Sequence, residues 1–141
     1  MQRFTPYLHF PGNAADAMNF YRSVLGGDFT IYQQFKNVPG SEKMSAEDQE
    51  KFIHISLLTP GGHSIMATDT PASMEQVVPG NNFHICIHAT DESEADTLFD
   101  SLSAGGRIEM PMNKTFWGAY FGMCVDRFGT RWMINYSSPT Q

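Results

Sequence analysis

The sequence predicts an α+β protein made of two βαβββ modules, which together form a curved mixed sheet around a cleft. Residues 116–136 alternate as two strands joined at Asp126–Gly129, which is typical of a hairpin with a bulged, glycine-ended turn. The order of the predicted strands and helix also occurs twice along the chain, and a shift of 79 residues places Gly26–Gly27 on Gly105–Gly106. A duplicated sheet-forming unit with one helix predicts two sheets side by side, each with one uncovered face.

The first module is predicted to contain a strand, a helix, a second strand, a loop and a hairpin, in that order. Apolar residues at spacings of three and four predict the helix at 14–25, with Asn13 as its cap and Gly26–Gly27 at its end. Proline and glycine predict the turn between the hairpin strands. The remaining predicted elements are strands at 4–10, 29–35, 52–58 and 63–68, and a mobile loop at 36–51 with a helical turn at 45–49.

The second module repeats this order after a connection at 69–81, where a short helical turn is expected near 74–77. We expect a strand at 82–89, a helix capped by Thr90 or Asp91 and running through Leu102, and a strand at 107–112 before the final hairpin. A second shift, of 67 residues, places Met66 on Met133. The two modules, about 1–70 and 79–136, are predicted to form one domain over residues 1–141, since each half alone leaves a sheet face bare.

Composition limits the partners of the chain. The net charge is −6, from 9 basic and 15 acidic residues without a basic cluster, so nucleic acid is not expected. No apolar run approaches the roughly 20 residues of a membrane span and no signal segment is recognisable, so no membrane and a cytoplasmic location are expected. Cys86 and Cys124 lie in strand patterns without metal-type spacing, and both are predicted to be buried free thiols. A charged fraction of only 17% favours self-association.

Strand alternation selects the candidate ligand-binding residues. Histidines can act as acids, bases or metal ligands, whereas methionines and aromatic residues supply soft apolar contact area, and an arginine can bind a carboxylate. For each residue taken alone, core packing or a satisfied hydrogen bond stays open as the structural interpretation, and Arg131 could instead pair with Asp69. Predicted to line the cleft are His9, His54, Met66, His84, Trp117, Tyr120, Met123, Arg131 and Met133, with His88 beside them.

Five short motifs lie at residues 6–14 (PYLHFPGNA), 20–21 (FY), 65–69 (IMATD), 116–118 (FWG) and 126–135 (DRFGTRWMIN). Together these motifs resemble one known family, the PhnB-like branch of the glyoxalase/bleomycin resistance/dioxygenase (vicinal oxygen chelate) superfamily. The resemblance implies paired βαβββ modules and a homodimer. Members of this superfamily include lyases, dioxygenases, thiol transferases and sequestering resistance proteins. Binding of a small organic molecule is therefore the first expectation, and a lyase, isomerase or dioxygenase using cleft histidines is the alternative.

The resemblance also implies where a divalent metal would bind, at one ligand from each of four strands. The equivalent positions are Thr5, Met66, His84 and Met133, of which only His84 is a good ligand for a hard ion, so no metal is expected. Two other arrangements stay open: a cluster of His9, His54 and His84, or a Cu(I) site on the methionines. No cofactor is expected, and a methyl-donor site of the common kind is not indicated, because no glycine-rich nucleotide loop follows a strand and opens a helix.

Overall fold

The computed structural model describes residues 2–138, and the chain divides into two compact units between Val78 and Pro79. The first unit contains β1 (Tyr7–Phe10), α1 (Ala14–Leu25), β2 (Asp28–Gln34), α2 (Ala46–Glu50), β3 (Phe52–Leu58) and β4 (Ser64–Asp69). Its sheet has the order β1-β4-β3-β2, in which β1 and β4 are parallel and the other pairs antiparallel. α1 packs on β3 and β4 and buries Ile55 and Leu57 completely, at 0% exposure.

The second unit has the same topology. It contains β5 (Ile85–His88), α3 (Glu92–Ser103), β6 (Arg107–Lys114), β7 (Ala119–Val125) and β8 (Arg131–Ser137), in the sheet order β5-β8-β7-β6. Register confirms both sequence shifts, because Tyr7 pairs with Met66 in the first sheet and Cys86 pairs with Met133 in the second. The α+β class and the two βαβββ modules predicted from the sequence are therefore confirmed.

Several predicted boundaries differ from the structure. β1 begins at Tyr7, directly after Pro6, which has no N–H to donate to a sheet. β5 begins at Ile85, which pairs with Trp132, the second residue of β8, so only His84 among the residues before it has a β8 residue opposite. The helical turn expected near 74–77 is absent from the described residues, where a single turn is closed by the Met74 N–H to the Pro71 carbonyl.

The two long helices are capped in different ways. Asp91 caps α3 as expected, accepting the Glu94 N–H at 2.7 Å, while the Glu94 carboxylate accepts the Thr90 N–H at 3.0 Å. Asn13 occupies the N-cap position of α1 as predicted, but its side chain makes no capping hydrogen bond. Asp69 takes this role from the end of β4 and accepts the Ala14 N–H at 2.8 Å.

The segment between β2 and β3, predicted as a mobile loop, is tied to the unit at Asp48. The expected helical turn is present as α2, and Ser45 Oγ accepts the Asp48 N–H at 3.1 Å. The Asp48 carboxylate is paired with Lys51 at 2.9 Å and accepts the Ala72 N–H at 3.2 Å. The hydrogen bond from Lys51, followed by that from Ala72, lowers the pKa of Asp48.

The two cysteines differ in exposure. Cys124 is fully buried under α3, but Cys86 is exposed, so the prediction of two buried thiols is wrong for Cys86. The reason is its position on β5, an edge strand, on the face turned away from the helix. Within residues 2–138, no helix is both long and apolar enough to cross a membrane.

Candidate functional site

Each sheet has a helix on one face, and we call the opposite face of the sheet its far face. In the second unit α3 packs on β7 and β8, where Cys124, Trp132 and Ile134 are fully buried. Since side chains alternate along a strand, Arg131 and Met133 point to the far face. Cys86 joins them because it pairs directly with Met133.

A hydrogen-bonded cluster of three side chains lies on the far face of the second sheet. His84 Nε2 is 2.8 Å from Glu109 Oε1, and Arg131 Nη1 donates to Glu109 Oε2 at 2.7 Å. Arg131 Nε also donates to the Gly80 carbonyl at 3.1 Å. The three side chains are only 12% (His84) and 17% (Glu109, Arg131) exposed, so the cluster is largely shielded from water.

Glu109 lies at a β-bulge of β6, and alternation from Ile108, which pairs with the helix-side Cys124, places it on the far face. Ile108 pairs with Cys124 and Met110 with Met123, so two residue steps of β6 lie opposite one step of β7. Desolvation acts to raise the pKa of Glu109, but the His84 hydrogen bond and the charges of His84, Arg131 and Arg107 outweigh it and lower the pKa.

Sequence reasoning missed Glu109 because β6 was predicted only as a strand, without an assignment of its two faces. Two signals were available. Glu109 is the only acidic residue of β6, and Pro111 within that strand marks an irregular edge. Arg131 pairs with Glu109, and the alternative partner considered from the sequence, Asp69, accepts the backbone N–H groups of Ala14 and Phe52.

Met123 and Met133 lie beside this cluster. They are direct cross-strand partners on β7 and β8, and both are half-buried. Trp117 precedes β7 in a turn, 60% exposed, and its ring centroid lies 6.4 Å from that of Phe121. The two methionines therefore border the polar cluster, whereas Trp117 lies at the opposite end of β7 from Arg131.

Tyr120 does not share this face. Its hydroxyl donates a hydrogen bond to Asp96 Oδ1 of α3 at 2.5 Å, so its ring lies on the helix side of β7, opposite to Met123. The bond to the Asp96 carboxylate, with desolvation and nearby acidic groups, raises the pKa of Tyr120 to about 12. The structure thus separates Tyr120 from the other candidate ligand-binding residues of its unit.

The far face of the first sheet carries its own polar cluster. The Tyr7 hydroxyl lies 2.8 Å from His54 Nδ1, and the His9 ring centroid is 5.7 Å from that of Tyr7. Met66 pairs with Tyr7 on β1 and with Ser56 on β3. His9, His54 and Met66 therefore occupy one surface of the first unit. His88 lies in the second unit, with its Nδ1 3.4 Å from Asn135 Nδ2.

A groove of ≈ 310 Å³ lies elsewhere in the first unit, beside the start of α1. None of the candidate ligand-binding residues lines it. Its charged side chains are partly engaged, because Glu50 pairs with Lys36 at 3.3 Å and Lys51 pairs with Asp48. Its lining residues are Pro11, Gly12, Asn13, Ala15, Asp16, Glu47, Glu50, Lys51 and Phe52.

The positions that the resemblance assigns to a divalent metal do not fit such an ion. In the second unit, His84 Nε2 is engaged by Glu109 and the neighbouring position is the thioether of Met133. In the first unit the two positions are Thr5 and Met66, a hydroxyl and a thioether. Hard divalent ions prefer carboxylate and imidazole donors. Across residues 2–138, no group of three or more histidine, cysteine, aspartate or glutamate side chains is placed to hold a metal ion.

Comparison with known proteins gives consistent results. The family described as Glyoxalase/Bleomycin resistance protein/Dioxygenase superfamily matches residues 3–134. Protein YjdN of Escherichia coli (strain K12) is 34% identical over 146 aligned residues, covering 97% of this chain and 98% of that protein. The crystal structure of PA1353 from Pseudomonas aeruginosa is 33% identical with a TM-score of 0.86, covering 97% of this chain and 98% of that one. The PhnB protein of Bacillus cereus is 25% identical with a TM-score of 0.76, covering 96% and 100%.

Proposed function

The chain belongs to the glyoxalase/bleomycin resistance protein/dioxygenase superfamily, and from this premise we propose that it binds a small organic ligand on the far face of its second sheet. The hydrogen-bonded cluster of His84, Glu109 and Arg131 is the observation that carries the proposal. We propose a sequestering or binding role with no divalent metal. Tyr120 is left out of the ligand set, because it bonds to α3.

The chemistry of this surface favours a ligand with an aromatic or apolar body and one polar group. Met123 and Met133 supply polarisable area that adapts to irregular shapes, and Trp117 adds an exposed ring at the far end of β7 from Arg131. Glu109 is bonded to one nitrogen of Arg131 and to one nitrogen of His84. This carboxylate holds both side chains in place, so the remaining donors of Arg131 are already oriented. Prior orientation reduces the entropy lost on binding.

A thermal-shift screen of an aromatic compound library, run with and without divalent metals, tests this function. A ligand that raises the melting temperature is then measured by calorimetry against His84→Ala and Arg131→Ala. We expect each variant to weaken binding by about tenfold, the effect of losing about 1.4 kcal/mol. His63→Ala, a change in an exposed turn, is the matched control and should bind like the unchanged protein. Equal binding by all four proteins would refute the proposed site.

A second candidate function is an enzyme of the lyase, isomerase or dioxygenase type. The contact of 2.8 Å between the Tyr7 hydroxyl and His54 Nδ1 favours it, since a phenol and an imidazole in hydrogen-bond contact can pass a proton to a substrate. His9 lies beside this pair. Turnover of a screened ligand that is lost in His54→Ala but kept in His63→Ala would favour this candidate over simple binding.

We also propose that the protein is a homodimer in the cytoplasm. Phe116 and Trp117 support the dimer, because their rings are 98% and 60% exposed and stack edge to face at 5.0 Å, leaving apolar area for a partner copy. The exposed free thiol of Cys86 supports a reducing compartment.

Sedimentation velocity at micromolar concentration tests the dimer. We predict a dimer for the unchanged protein and a shift toward monomer for Phe116→Ser/Trp117→Ser, because these changes remove apolar contact area. Met74→Ser, which alters a residue 62% exposed elsewhere, is the control. A monomer for the unchanged protein would contradict the proposal.

A further inference from the structure

Two arginines lie in one row across the second sheet. Val125 of β7 pairs with Arg107 of β6 on one side and with Arg131 of β8 on the other. Directly paired residues of neighbouring strands project from the same face of a sheet. Val125 follows Cys124, which is buried under α3, so alternation turns the row to the far face. Both guanidinium groups therefore lie on the face that is proposed to bind the ligand.

The polar end of this face has a surplus of positive charge. Arg107 lies close enough for its charge to act on the Glu109 carboxylate, which also pairs with Arg131 at 2.7 Å. Two arginines against one glutamate leave a charge of +1 when the imidazole of the cluster is neutral. Asp126, at the same end of the sheet, is turned to the helix side, where it accepts the Trp132 Nε1–H at 2.8 Å. The chain as a whole has a net charge of −6, so this surplus is local.

Arg131 keeps donors that the protein does not use. Its Nε donates to the Gly80 carbonyl at 3.1 Å and its Nη1 to Glu109, but Nη2 has no acceptor within residues 2–138. Solvent reaches this nitrogen, because Asn13 Oδ1 is the only buried side-chain polar atom without a partner in the described part of the chain. Arg107 is exposed, and among the same residues no hydrogen bond or ion pair holds its guanidinium. Both arginines can therefore bind an acceptor from a ligand.

The corresponding row of the first sheet provides an internal comparison. Applying the two shifts to the arginine row gives three residues that are likewise paired across the first sheet: Asp28, Leu58 and Ser64. A carboxylate and a hydroxyl thus occupy the positions that hold arginines in the second sheet. The two modules share one topology, so the fold itself does not require a cationic row.

We propose that the ligand is an organic carboxylate, whose anionic group binds Arg131 and Arg107 and whose apolar body lies on Met133 and Met123. This inference rests on the proposed function and names the class of its ligand. Guanidinium groups donate charge-assisted hydrogen bonds to carboxylate oxygens, and such bonds are about twice as strong as those between neutral groups. Glu109 does not compete for the free donors, because each of its oxygens is already bonded to a partner.

The spacing along the strands fits an aromatic acid. The Met133–Met123 pair lies two residues along from the Arg131–Val125 pair, a step of about 6.6 Å. An aromatic ring system attached directly to a carboxylate therefore covers the two thioethers while its anionic group is at Arg131. Methionine side chains adapt to the shape of such a body.

Shielding from water favours an anion over a neutral polar group. The polar cluster is largely buried although no helix covers this face. Electrostatic attraction is screened less at a partly buried site than at an exposed one. A neutral amide of the same shape leaves the surplus positive charge uncompensated, so it gains less than the carboxylate.

Calorimetry with 2-naphthoate and its neutral isostere 2-naphthamide at pH 8, where the acid is ionised, tests the ligand class. We expect the unchanged protein to bind the acid at least about tenfold more tightly than the amide. Arg131→Gln should reduce this preference to about twofold or less, and Arg107→Gln should lower it at least about threefold. Lys43→Gln, which removes one exposed positive charge from the first unit, is the control and should keep the full preference.

Equal binding of the acid and the amide by the unchanged protein, or no binding of the acid, would overturn the inference. Full preference for the acid in either folded arginine variant would do the same. Circular dichroism and thermal unfolding show whether each variant is folded. Arg107→Gln breaks no ion pair, so it keeps the test decisive if Arg131→Gln does not fold.

The compound library separates this inference from the proposed function. Neutral aromatic compounds that bind through His84 and Arg131, without any preference for carboxylates, would refute the ligand class and leave the proposed function intact. If no compound of either kind binds, the proposed function fails together with the inference.

Discussion

Glu109 organises the polar cluster because it is the only member that touches both others. Each of its oxygens accepts one hydrogen bond, from His84 on one side and Arg131 on the other. A half-buried arginine without its carboxylate is costly, so the pair acts as a unit. The same carboxylate orients the two side chains that are proposed to contact a ligand.

Replacing Glu109 by Gln tests its contribution to stability. We predict that Glu109→Gln lowers the free energy of unfolding at pH 7 by about 1.5 kcal/mol, since hydrogen bonds to charged groups are lost. Urea unfolding measures the change. Asp28→Asn is the control, because Asp28 pairs with Arg22 at 3.2 Å but its side chain is 88% exposed, and a surface pair contributes about 0.5 kcal/mol or less.

The effect of Glu109→Gln should depend on pH. The pKa of Glu109 is lowered in the folded protein, so its stabilisation is present above the unfolded carboxyl pKa of about 4.3 and is lost as the pH falls through the folded pKa. The difference between the unchanged protein and the variant should therefore shrink in acid. A difference that stays constant below pH 4 would contradict this assignment.

At the scale of elements, the start of α1 depends on a residue from β4. Asp69 is 1% exposed and accepts N–H bonds from Ala14 at 2.8 Å and from Phe52 at 2.9 Å, so it joins the helix to β3 as well. The adjacent Asn13 has a buried side-chain oxygen for which no hydrogen-bond partner is found. A distant carboxylate thus replaces the local cap.

We predict that Asp69→Ala destabilises the protein by about 2 kcal/mol, because two buried N–H groups lose their acceptor. Asn13→Ala is the matched change at the sequence-predicted cap and should cost less than about 0.5 kcal/mol. Thermal and urea unfolding of both variants measure the difference. If Asn13→Ala proves the more damaging change, the assignment of Asp69 as the cap is incorrect.

The helix-to-strand turns repeat one close contact in both modules. A Cβ on Gly27 would lie 2.1 Å from the Leu58 carbonyl oxygen, and a Cβ on Gly106 would lie 2.0 Å from that of Val125. Both contacts are with backbone, which cannot rotate away. Glycine is therefore required at these equivalent positions by close approach of two chain segments.

Gly106→Ala should lower the free energy of unfolding by about 3 kcal/mol, because the added methyl overlaps backbone that must move. Gly27→Ala should cost at least as much, since Gly27 also has a positive φ of 94°. Gly61→Ala is the control, with its nearest neighbour at 3.7 Å in the flexible His63 side chain. Equal stability of Gly106→Ala and Gly61→Ala would argue against this contact.

At the scale of the whole molecule, two compact units follow one another and share one topology. We predict that they fold as one domain, since each half alone would leave a sheet face uncovered. Limited proteolysis at the exposed Lys43 should nick the segment between β2 and β3 without releasing a stable half. Mass spectrometry and circular dichroism of the products test this, and a folded fragment ending near Val78 would refute it.

The sequence by itself determined the duplicated βαβββ order, both long helices and both hairpins. These depend on local patterns: apolar spacing, an Asp91 cap, and turns ended by glycine, such as Gly129 with a φ of 90°. The two shifts of 79 and 67 residues also follow from the sequence, and their difference reflects the longer segment between β2 and β3 that contains α2.

The tertiary structure alone decided two features of the candidate site, whereas alternation along β7 already places Tyr120 opposite to Met123. It brought Glu109 into contact with both His84 and Arg131, and the edge position of β5 exposed Cys86. Neither feature follows from alternation, because each depends on which strands become neighbours. Such contacts join residues that are distant in the chain, and local sequence patterns do not predict them.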